Sequence, residues 1–361
     1  MTVLDDRALN RALLARQLLL EPADLDTLSA VEHLVGLQAQ EPQEPYVGLW
    51  SRLRRFDPAE LVELLENRRA VRTLLMRRTL HLVSAEDCLA LRPLHEQMLV
   101  KRMSSVLARH LPGVDLGELA TAGAPYFAAE PRTVGEVARA IGDRWPDART
   151  RVLGDALSTV VALVQVPPRG IWGTTAPARC TTIEAWLGRR LADDAGEPDE
   201  LVLRYLRAYG PAASADVRSW SGLTGLPAVI ERLRPKLRTF RDKRGRELLD
   251  VDEGPLPDSD VPAPPRFLPA FDNAVLGYDD RSRIIDIEHR GLSVEGTRFV
   301  LVDGRVAATW TSTRDGAGDP VTVTVERLRT LTGRERDSVT AEGERLAAFL
   351  GDGADGRVEL R

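Results

Sequence analysis

The 361-residue chain contains few cysteines and histidines. Cys88 and Cys180 are too few for a structural zinc site, which usually takes four Cys or His ligands. The five histidines show no metal-binding spacing such as H-E-x-x-H, so we expect no metal and no other cofactor. No apolar run approaches the roughly 20 residues of a membrane-spanning helix. The N-terminal residues lack the basic and apolar regions of a signal peptide, which predicts a cytoplasmic protein without a membrane partner.

Lysine is also scarce, since three lysines accompany 46 arginines, and the net charge is −5. A negative total argues mildly against a nucleic-acid partner, but the distribution of charge matters more than its sum. Residues 68–78 hold five arginines and no acid, and residues 232–246 hold eight basic residues and one acid. Exposed charges farther apart than about 10 Å are screened from one another. The two local basic faces are therefore compatible with a partner that carries phosphate groups.

One order of elements recurs along the chain. Helical periodicity is followed by two short strand-like runs at 70–83, and a T-x-x-E capping box at Thr133 opens a second helical stretch. The third copy is the clearest, with helices predicted over 201–209, 214–220 and 226–237, and then two strands around a basic, glycine-containing turn. Helix, helix and basic hairpin are typical of a winged helix-turn-helix.

The predicted fold class is α+β and helix-rich, with three tandem winged helix-turn-helix units and a small C-terminal β-barrel or sheet. A linker with five prolines over 253–265, β-like runs over 266–325 and a closing helix over 340–350 define the last part. The predicted boundaries are 1–110, 111–195 and 196–252 for the three units and 253–361 for the linker, β domain and terminal helix.

Five motifs in order resemble those of a bacterial winged-helix family that contains DNA glycosylases. They are GLQAQEP at 36–42, RTLHLV at 78–83, YGP at 209–211, LPAFDN at 268–273 and LVDGR at 301–305. The resemblance is to the azinomycin-resistance type, which unhooks interstrand crosslinks. It implies that a Gln-x-Gln signature, Gln38 and Gln40, carries catalysis in a DNA cleft built by three winged helices. A broader branch has Gln-x-Asp, and Gln40 departs from it towards the crosslink-resistance type.

The two glutamines can act together only if the backbone around them is extended. Residues two apart on a helix point in nearly opposite directions, whereas in a strand they share a face. Pro42 biases Glu41 out of the helical region, so we expect the helix to end near Gln38 to Glu41. Neither amide is a general base, but together they can hold a water and stabilise oxocarbenium-like charge with carbonyl dipoles. This suffices for an N7-alkylated purine, which is cationic and leaves as a neutral base.

Other candidate residues lie along the predicted DNA face. The basic segment 238–246 is the best candidate for phosphate contacts, although a charge run is often a solvated face. His81 could face DNA or be structural, and the run 278–283 is either a basic loop at the DNA face or a hairpin turn. The predicted DNA contacts are Arg77, Arg78, His81, Arg241, Lys243, Arg244, Arg246, Tyr278, Arg281 and Arg283.

Four polar residues near these motifs have a simpler interpretation. Glu41 and Glu44 are rival general bases, but we expect them to be solvated. Asp272 and Asn273 could contact the cleft, but a turn role through side-chain hydrogen bonds is favoured.

The sequence thus predicts a monofunctional DNA glycosylase that hydrolyses the N-glycosidic bond of N7-alkylated purines, including bulky adducts and crosslinks. It would serve DNA repair or antibiotic self-resistance as a monomer on double-stranded DNA, at the nucleoid of a bacterial cytoplasm. The alternative is a non-catalytic DNA-binding protein such as a transcription regulator, because winged helices serve regulators more often than enzymes. A small-molecule hydrolase is a third hypothesis, but the sequence has no G-x-S-x-G, Cys-His or paired-carboxylate pattern to support it.

Overall fold

The computed structural model describes residues 2–314, 316 and 319–361 of the chain. The fold is α+β and helix-rich, as predicted. None of the helices in these ranges is long and apolar enough to cross a membrane.

The first part of the chain begins with a short strand and a helix and continues into a helix–strand–helix–helix–strand–strand group. Its elements are β1 (Val3–Leu4), α1 (Asp6–Arg16), α2 (Thr27–His33), β2 (Leu37–Gln38), α3 (Glu44–Trp50), α4 (Pro58–Glu66), β3 (Ala70–Leu74) and β4 (Leu80–Ser84). Asp57 accepts a hydrogen bond from the Ala59 amide and so caps α4, whose first residue is Pro58.

The same order recurs after one long helix. The elements are α5 (Ala85–Leu107), α6 (Leu116–Ala129), β5 (Arg132–Thr133), α7 (Val134–Ile141), α8 (Thr150–Val160), β6 (Leu163–Gln165), β7 (Arg179–Thr182) and α9 (Ile183–Leu187). The capping box at Thr133 and Glu136 is present. Strand β6 ends at Gln165, and the chain continues as an irregular loop that contains a cis peptide between Pro167 and Pro168.

A third group follows with an isolated bridge between Ala212 and Leu249 in place of its first strand. Its elements are α10 (Asp199–Tyr209), α11 (Ser214–Ser221), α12 (Leu226–Leu233), β8 (Leu237–Asp242) and β9 (Glu247–Val251). The predicted basic hairpin is confirmed as β8 and β9. The helix predicted over 226–237 ends early, because Arg234–Lys236 tighten into a 3-10 turn.

The C-terminal part is built from a five-stranded sheet and a helix. Its elements are β10 (Arg266–Leu268), α13 (Asn273–Leu276), β11 (Arg298–Val302), β12 (Arg305–Thr313), β13 (Thr322–Arg327), α14 (Gly333–Leu350) and β14 (Arg357–Leu360). The strands follow one another in the order β10-β11-β12-β13-β14. The closing helix begins seven residues before the predicted start, because Thr332 and Glu335 form a capping box that the charged first turns had concealed.

Strand pairing joins the first two groups into one six-stranded sheet with the order β2-β4-β3-β6-β7-β5. The junction is the antiparallel pair β3–β6, where Arg72 lies opposite Gln165. A large apolar core connects the first group to the third and to the C-terminal part, and its members include Val83, Trp220 and Tyr278. Both cysteines are buried and free. Because the first and third groups share this core, residues far apart in sequence meet beside β2.

Candidate active site

Strand β2 holds Gln38 in the predicted extended conformation, and Gln40 lies two residues beyond the end of the strand. The preceding helix α2 ends at His33 and not near Gln38 to Glu41, which corrects that part of the prediction. Strand β2 pairs antiparallel with β4, so that Gln38 lies opposite His81. The chain leaves α2 through Val35 and Gly36, which both have positive φ. A Cβ at Gly36 would lie 2.7 Å from the Val83 side chain and 3.0 Å from the Leu82 carbonyl oxygen. Glycine is therefore required for this turn into the strand.

The two motif glutamines are bound to the same neighbouring segment, residues 75–80. Gln38 is 9% exposed, and its Oε1 accepts a hydrogen bond of 2.7 Å from Arg77 Nη2. Gln40 is exposed, and its Oε1 accepts a hydrogen bond of 2.8 Å from the backbone amide of Leu80. Ala39 between them is buried. Groups of the protein itself therefore hold both side-chain amides in place.

The β3–β4 hairpin, here named the first hairpin, ends in a tip at residues 75–79 that carries Arg77 and Arg78. Both arginines have φ near +60°, a left-handed conformation that costs non-glycine residues free energy. The turn directs Arg77 inward, where Nη1 donates to the Trp220 carbonyl oxygen at 2.9 Å and Nη2 donates to Asn273 Oδ1 at 2.9 Å. Arg78 is half-buried, and its Nε donates to Thr159 Oγ1 at 3.2 Å.

Arg77 is a largely buried cation without a carboxylate partner among the described residues. Burial lowers the pKa of Arg77 to about 10, and the charges of Arg281 and Arg102 act in the same direction. A charge that is withdrawn from water and lacks a counter-charge is costly, so such residues often mark a functional site.

A fully buried arginine supports the motif from the other side. Arg72 on β3 donates from Nη2 to the carbonyl oxygen of Ala39 at 2.7 Å, while its Nε and Nη1 have no hydrogen-bond partner in the described part of the chain. Burial and the charge of Arg169 lower the pKa of Arg72 to about 10. Two guanidinium groups thus flank the Gln-Ala-Gln segment and create a positive potential around it.

His81 lies in the interior, and its assignment as a DNA contact is corrected. Its side chain is fully buried, and Nδ1 lies 3.0 Å from the Thr79 carbonyl oxygen. Burial, followed by the nearby Arg77 charge, lowers the pKa of His81 to about 3, so the imidazole is neutral. A neutral ring without exposed surface has nothing to offer a phosphate.

The acidic residues near the motif differ in exposure and in their partners. Glu41 is exposed, as expected. Glu44 is buried rather than solvated, because its carboxylate accepts from the Ala270 amide at 2.6 Å and pairs with Arg298. Asp272 caps α13 through the Ala274 amide and forms a buried ion pair with Arg52 at 2.8 Å. The turn role predicted for Asp272 is confirmed, whereas Asn273 contacts Arg77 in the site.

The β8–β9 hairpin, here named the third hairpin, carries four of the predicted DNA contacts. Arg241, Lys243 and Arg244 are exposed and Arg246 is half-buried. Arg244 and Arg246 both pair with Asp280, at 2.7 and 2.8 Å, and Arg246 also pairs with Asp242 at 2.7 Å. Arg244, Arg246 and Asp280 line a groove of about 330 Å³ with Arg281 and Arg290.

Two residues of the 278–283 run are internal, which corrects their assignment as DNA contacts. Tyr278 is fully buried and donates from its hydroxyl to the Tyr209 carbonyl oxygen. Arg283 is also buried, donates to the Pro211 carbonyl oxygen at 2.9 Å and stacks over the Tyr278 ring. Arg281 is half-buried and donates to Ser293 Oγ at 2.7 Å. Tyr278 belongs to the large apolar core that the first and third groups share. The sequence could not show this packing.

Sequence reasoning missed three contributors to the site. Arg72 stood in a basic run with no sign that it would be buried, and Asn273 was assigned to a turn. Trp220 contributes only a carbonyl oxygen, 143 residues away from Arg77. No local signal in the sequence reports such contacts, because they depend on how the first and third groups pack.

The chain is similar to known proteins in fold and in sequence. Among solved structures, the fold is similar to that of Streptomyces sahachiroi DNA glycosylase AlkZ, with a TM-score of 0.80 over 100% of both chains and 20% sequence identity. No curated protein sequence matches the chain. The model of a protein family described as DNA glycosylase AlkZ-like matches residues 31–349, and the chain therefore belongs to the AlkZ-like family of DNA glycosylases.

Proposed function

We propose that the enzyme hydrolyses the N-glycosidic bond of N7-alkylated purines in double-stranded DNA, with Gln38 and Gln40 as its catalytic residues. The observation that carries the proposal is the pair of anchored amides on and beside β2, held between two guanidinium groups that lack carboxylate partners within the described ranges. Fixed amides can orient a water against a sugar carbon at no reorganisation cost during the reaction.

The proposed reaction consumes one water and needs no protein acid. The water oxygen bonds to C1′ of the deoxyribose while the C1′–N9 bond breaks and its electron pair returns to the purine. Because the N7-alkylated base is cationic, it departs neutral, and the attacking water loses one proton to solvent. No lysine among the described residues is hydrogen-bonded to Gln38 or Gln40, which favours a monofunctional enzyme that hydrolyses the bond without cutting the strand.

The proposal extends to bulky adducts and interstrand crosslinks. Gln40 is exposed just beyond the end of β2, so a lesion that cannot be fully extruded from the duplex could still reach its amide. We further propose that the three recurring groups are winged helix-turn-helix units within the predicted boundaries, that the protein acts as a monomer in the bacterial cytoplasm, and that it serves DNA repair or antibiotic self-resistance. Phosphate contacts are assigned to Arg78, Arg241, Lys243, Arg244 and Arg281, whereas the charge of Arg246 is already neutralised by Asp242 and Asp280.

The test uses a duplex oligonucleotide with one N7-methylguanine, followed by alkaline cleavage of abasic sites. The wild-type enzyme should give alkali-dependent strand scission, and Gln38→Ala and Gln40→Ala should each lower the single-turnover rate roughly 100-fold, since each removes a positioned polar group. Gln43→Ala is the matched control, because both ends of the Gln43 amide bind the loop at 171–173. Full excision by a Gln38→Ala, Gln40→Ala enzyme, or sequence-specific binding without abasic product, would overturn the assignment.

A further inference from the structure

The two catalytic amides are held by different kinds of donor. Gln38 Oε1 accepts from the guanidinium of Arg77, and Gln40 Oε1 accepts from the neutral backbone amide of Leu80. A guanidinium and a backbone N–H are donors only, so each carbonyl oxygen must face its partner and each NH₂ group must point elsewhere. The orientation of both amides therefore follows from the chemistry of their donors.

The strength of these bonds differs between the two glutamines. A hydrogen bond from a cation is roughly twice as strong as one between neutral groups, and it polarises the amide that accepts it. Polarisation makes the Gln38 oxygen a poorer acceptor for a second partner and its Nε2–H a better donor. Gln40 Oε1 binds a neutral N–H at an exposed position, so its second lone pair stays available.

Asn273 provides an independent indication that Arg77 imposes this orientation. Its Oδ1 also accepts from Arg77 Nη2, while its Nδ2 is buried without a partner among the described residues. Leaving a buried amide NH₂ unpaired costs free energy, and the alternative orientation would place an NH₂ against the guanidinium. Nη2 therefore donates its two hydrogens to Gln38 and Asn273, and Nη1 is fixed by the Trp220 carbonyl.

We infer that Arg77 is a positioning residue that makes the catalytic pair unequal, with Gln38 as the hydrogen-bond donor and Gln40 as the acceptor for the attacking water. This inference rests on the proposed function. The water accepts from Gln38 Nε2–H with one lone pair and donates one hydrogen to Gln40 Oε1. Its second lone pair is then free to attack C1′, and its second hydrogen remains with the solvent.

Replacing each glutamine by glutamate separates the two roles. Gln38→Glu removes the donor and converts position 38 into an ion-pair partner of Arg77, so the single-turnover rate on N7-methylguanine should fall at least about 100-fold. Gln40→Glu keeps an acceptor oxygen for both Leu80 N–H and water, so the loss should stay below about fivefold. Ionisation of the new carboxylate should also give Gln40→Glu a rate that rises with pH between about 4 and 7, unlike the wild type. Equal losses, or a larger loss for Gln40→Glu, would overturn the inference.

The role of Arg77 is tested by measuring the single-turnover rate and the affinity for DNA separately. Arg77→Met should lower the single-turnover rate at least about 30-fold with little change in affinity for DNA, and Arg77→Lys should recover part of the rate because it keeps a charged donor. Arg266→Met is the matched control, since Arg266 is another buried arginine but binds Leu19 and Glu342 instead. It should melt earlier and keep its rate per folded molecule. Parallel losses of rate and affinity in Arg77→Met would indicate an ordinary DNA contact.

A thermal measurement tests the Arg77–Gln38 geometry even if the enzyme acts on another lesion. Gln38→Glu supplies the missing counter-charge, so it should raise the melting temperature at neutral pH, and the gain should vanish in an Arg77→Met background. The pKa of the carboxyl group introduced at position 38 should lie below its unfolded value, so the gain should be lost as the pH falls through the folded pKa. A gain that persists without Arg77, or no gain at all, would contradict the geometry. Absence of excision by the wild type, in contrast, would count against the proposed function alone.

Discussion

The first and third hairpins both carry clustered arginines, but the protein uses their charges differently. Arg77 at the tip of the first hairpin points inward, has no carboxylate partner in the described part of the chain and binds two side-chain amides. Arg244 and Arg246 of the third hairpin reach the surface and are paired with Asp280. The comparison teaches that a run of basic residues does not by itself indicate a phosphate contact. Burial and the supply of counter-charge decide the role.

The largest expected effect concerns stability and contrasts a paired inward-facing arginine with an unpaired one. Arg52 and Asp272 form an ion pair with both side chains 1% exposed. Arg52→Met leaves the Asp272 carboxylate buried without its cation, which should lower the free energy of unfolding by about 3–5 kcal/mol. Arg77→Met removes a cation that had no counter-charge, so its cost should be less than half as large. Urea denaturation of both variants measures the two losses of unfolding free energy. Equal losses would contradict the distinction between a paired and an unpaired buried arginine.

A smaller effect follows from the neutral histidine beside the first hairpin. The pKa of His81 is lowered to about 3, whereas an unfolded histidine titrates near 6.5. Above about pH 6.5 both states are neutral, and below it only the unfolded state binds a proton, so stability is lost as the pH falls. His81 should contribute about 2 kcal/mol of this loss between pH ~6.5 and ~5. Comparing the pH dependence of unfolding in wild type and His81→Phe measures it, and identical slopes would show that His81 ionises in the folded protein.

The smallest effect sharpens the role of the third hairpin. Lys243 lies 4.0 Å from the Asp5 carboxylate at an exposed position, and Arg241 donates to a carbonyl oxygen only. Replacing both by glutamine should reduce the dependence of log K on log salt by about 2 units, since each phosphate contact contributes about 0.9. Arg246→Gln should change it by less than about 0.5, because Asp242 and Asp280 already neutralise that charge. Binding titrations at several salt concentrations measure both changes. A larger change for Arg246→Gln than for the double variant would contradict the assignment.

The sequence was most informative where local rules govern the structure. The capping box at Thr133 and the turn between β8 and β9 are fixed by short-range hydrogen bonds and turn chemistry, and both are present. The extended conformation of Gln38 could also be predicted, because Pro42 excludes a continuous helix, although α2 ends earlier than Pro42 alone indicates.

The residues that sequence analysis misplaced are those whose position depends on packing between distant groups. His81, Tyr278 and Arg283 carry polar atoms in basic segments, yet the packing of the first and third groups buries all three. Arg77 was expected at the DNA surface, and its left-handed backbone turned it inward towards Trp220 and Asn273 instead. These two contacts join residues that lie 143 and 196 positions apart, so periodicity and local motifs cannot reveal them.

The central claim is that the amides of Gln38 and Gln40 hold a water against the reacting sugar carbon. It is tested most directly by the structure of the enzyme bound to duplex DNA in which a cationic azasugar, a mimic of the oxocarbenium-like transition state, replaces the lesion nucleotide. We predict one ordered water within about 3 Å of both amides and of the sugar ring, with the amide nitrogen of Gln38 and the oxygen of Gln40 facing it. An azasugar that binds elsewhere, with both amides facing only protein, would contradict the account.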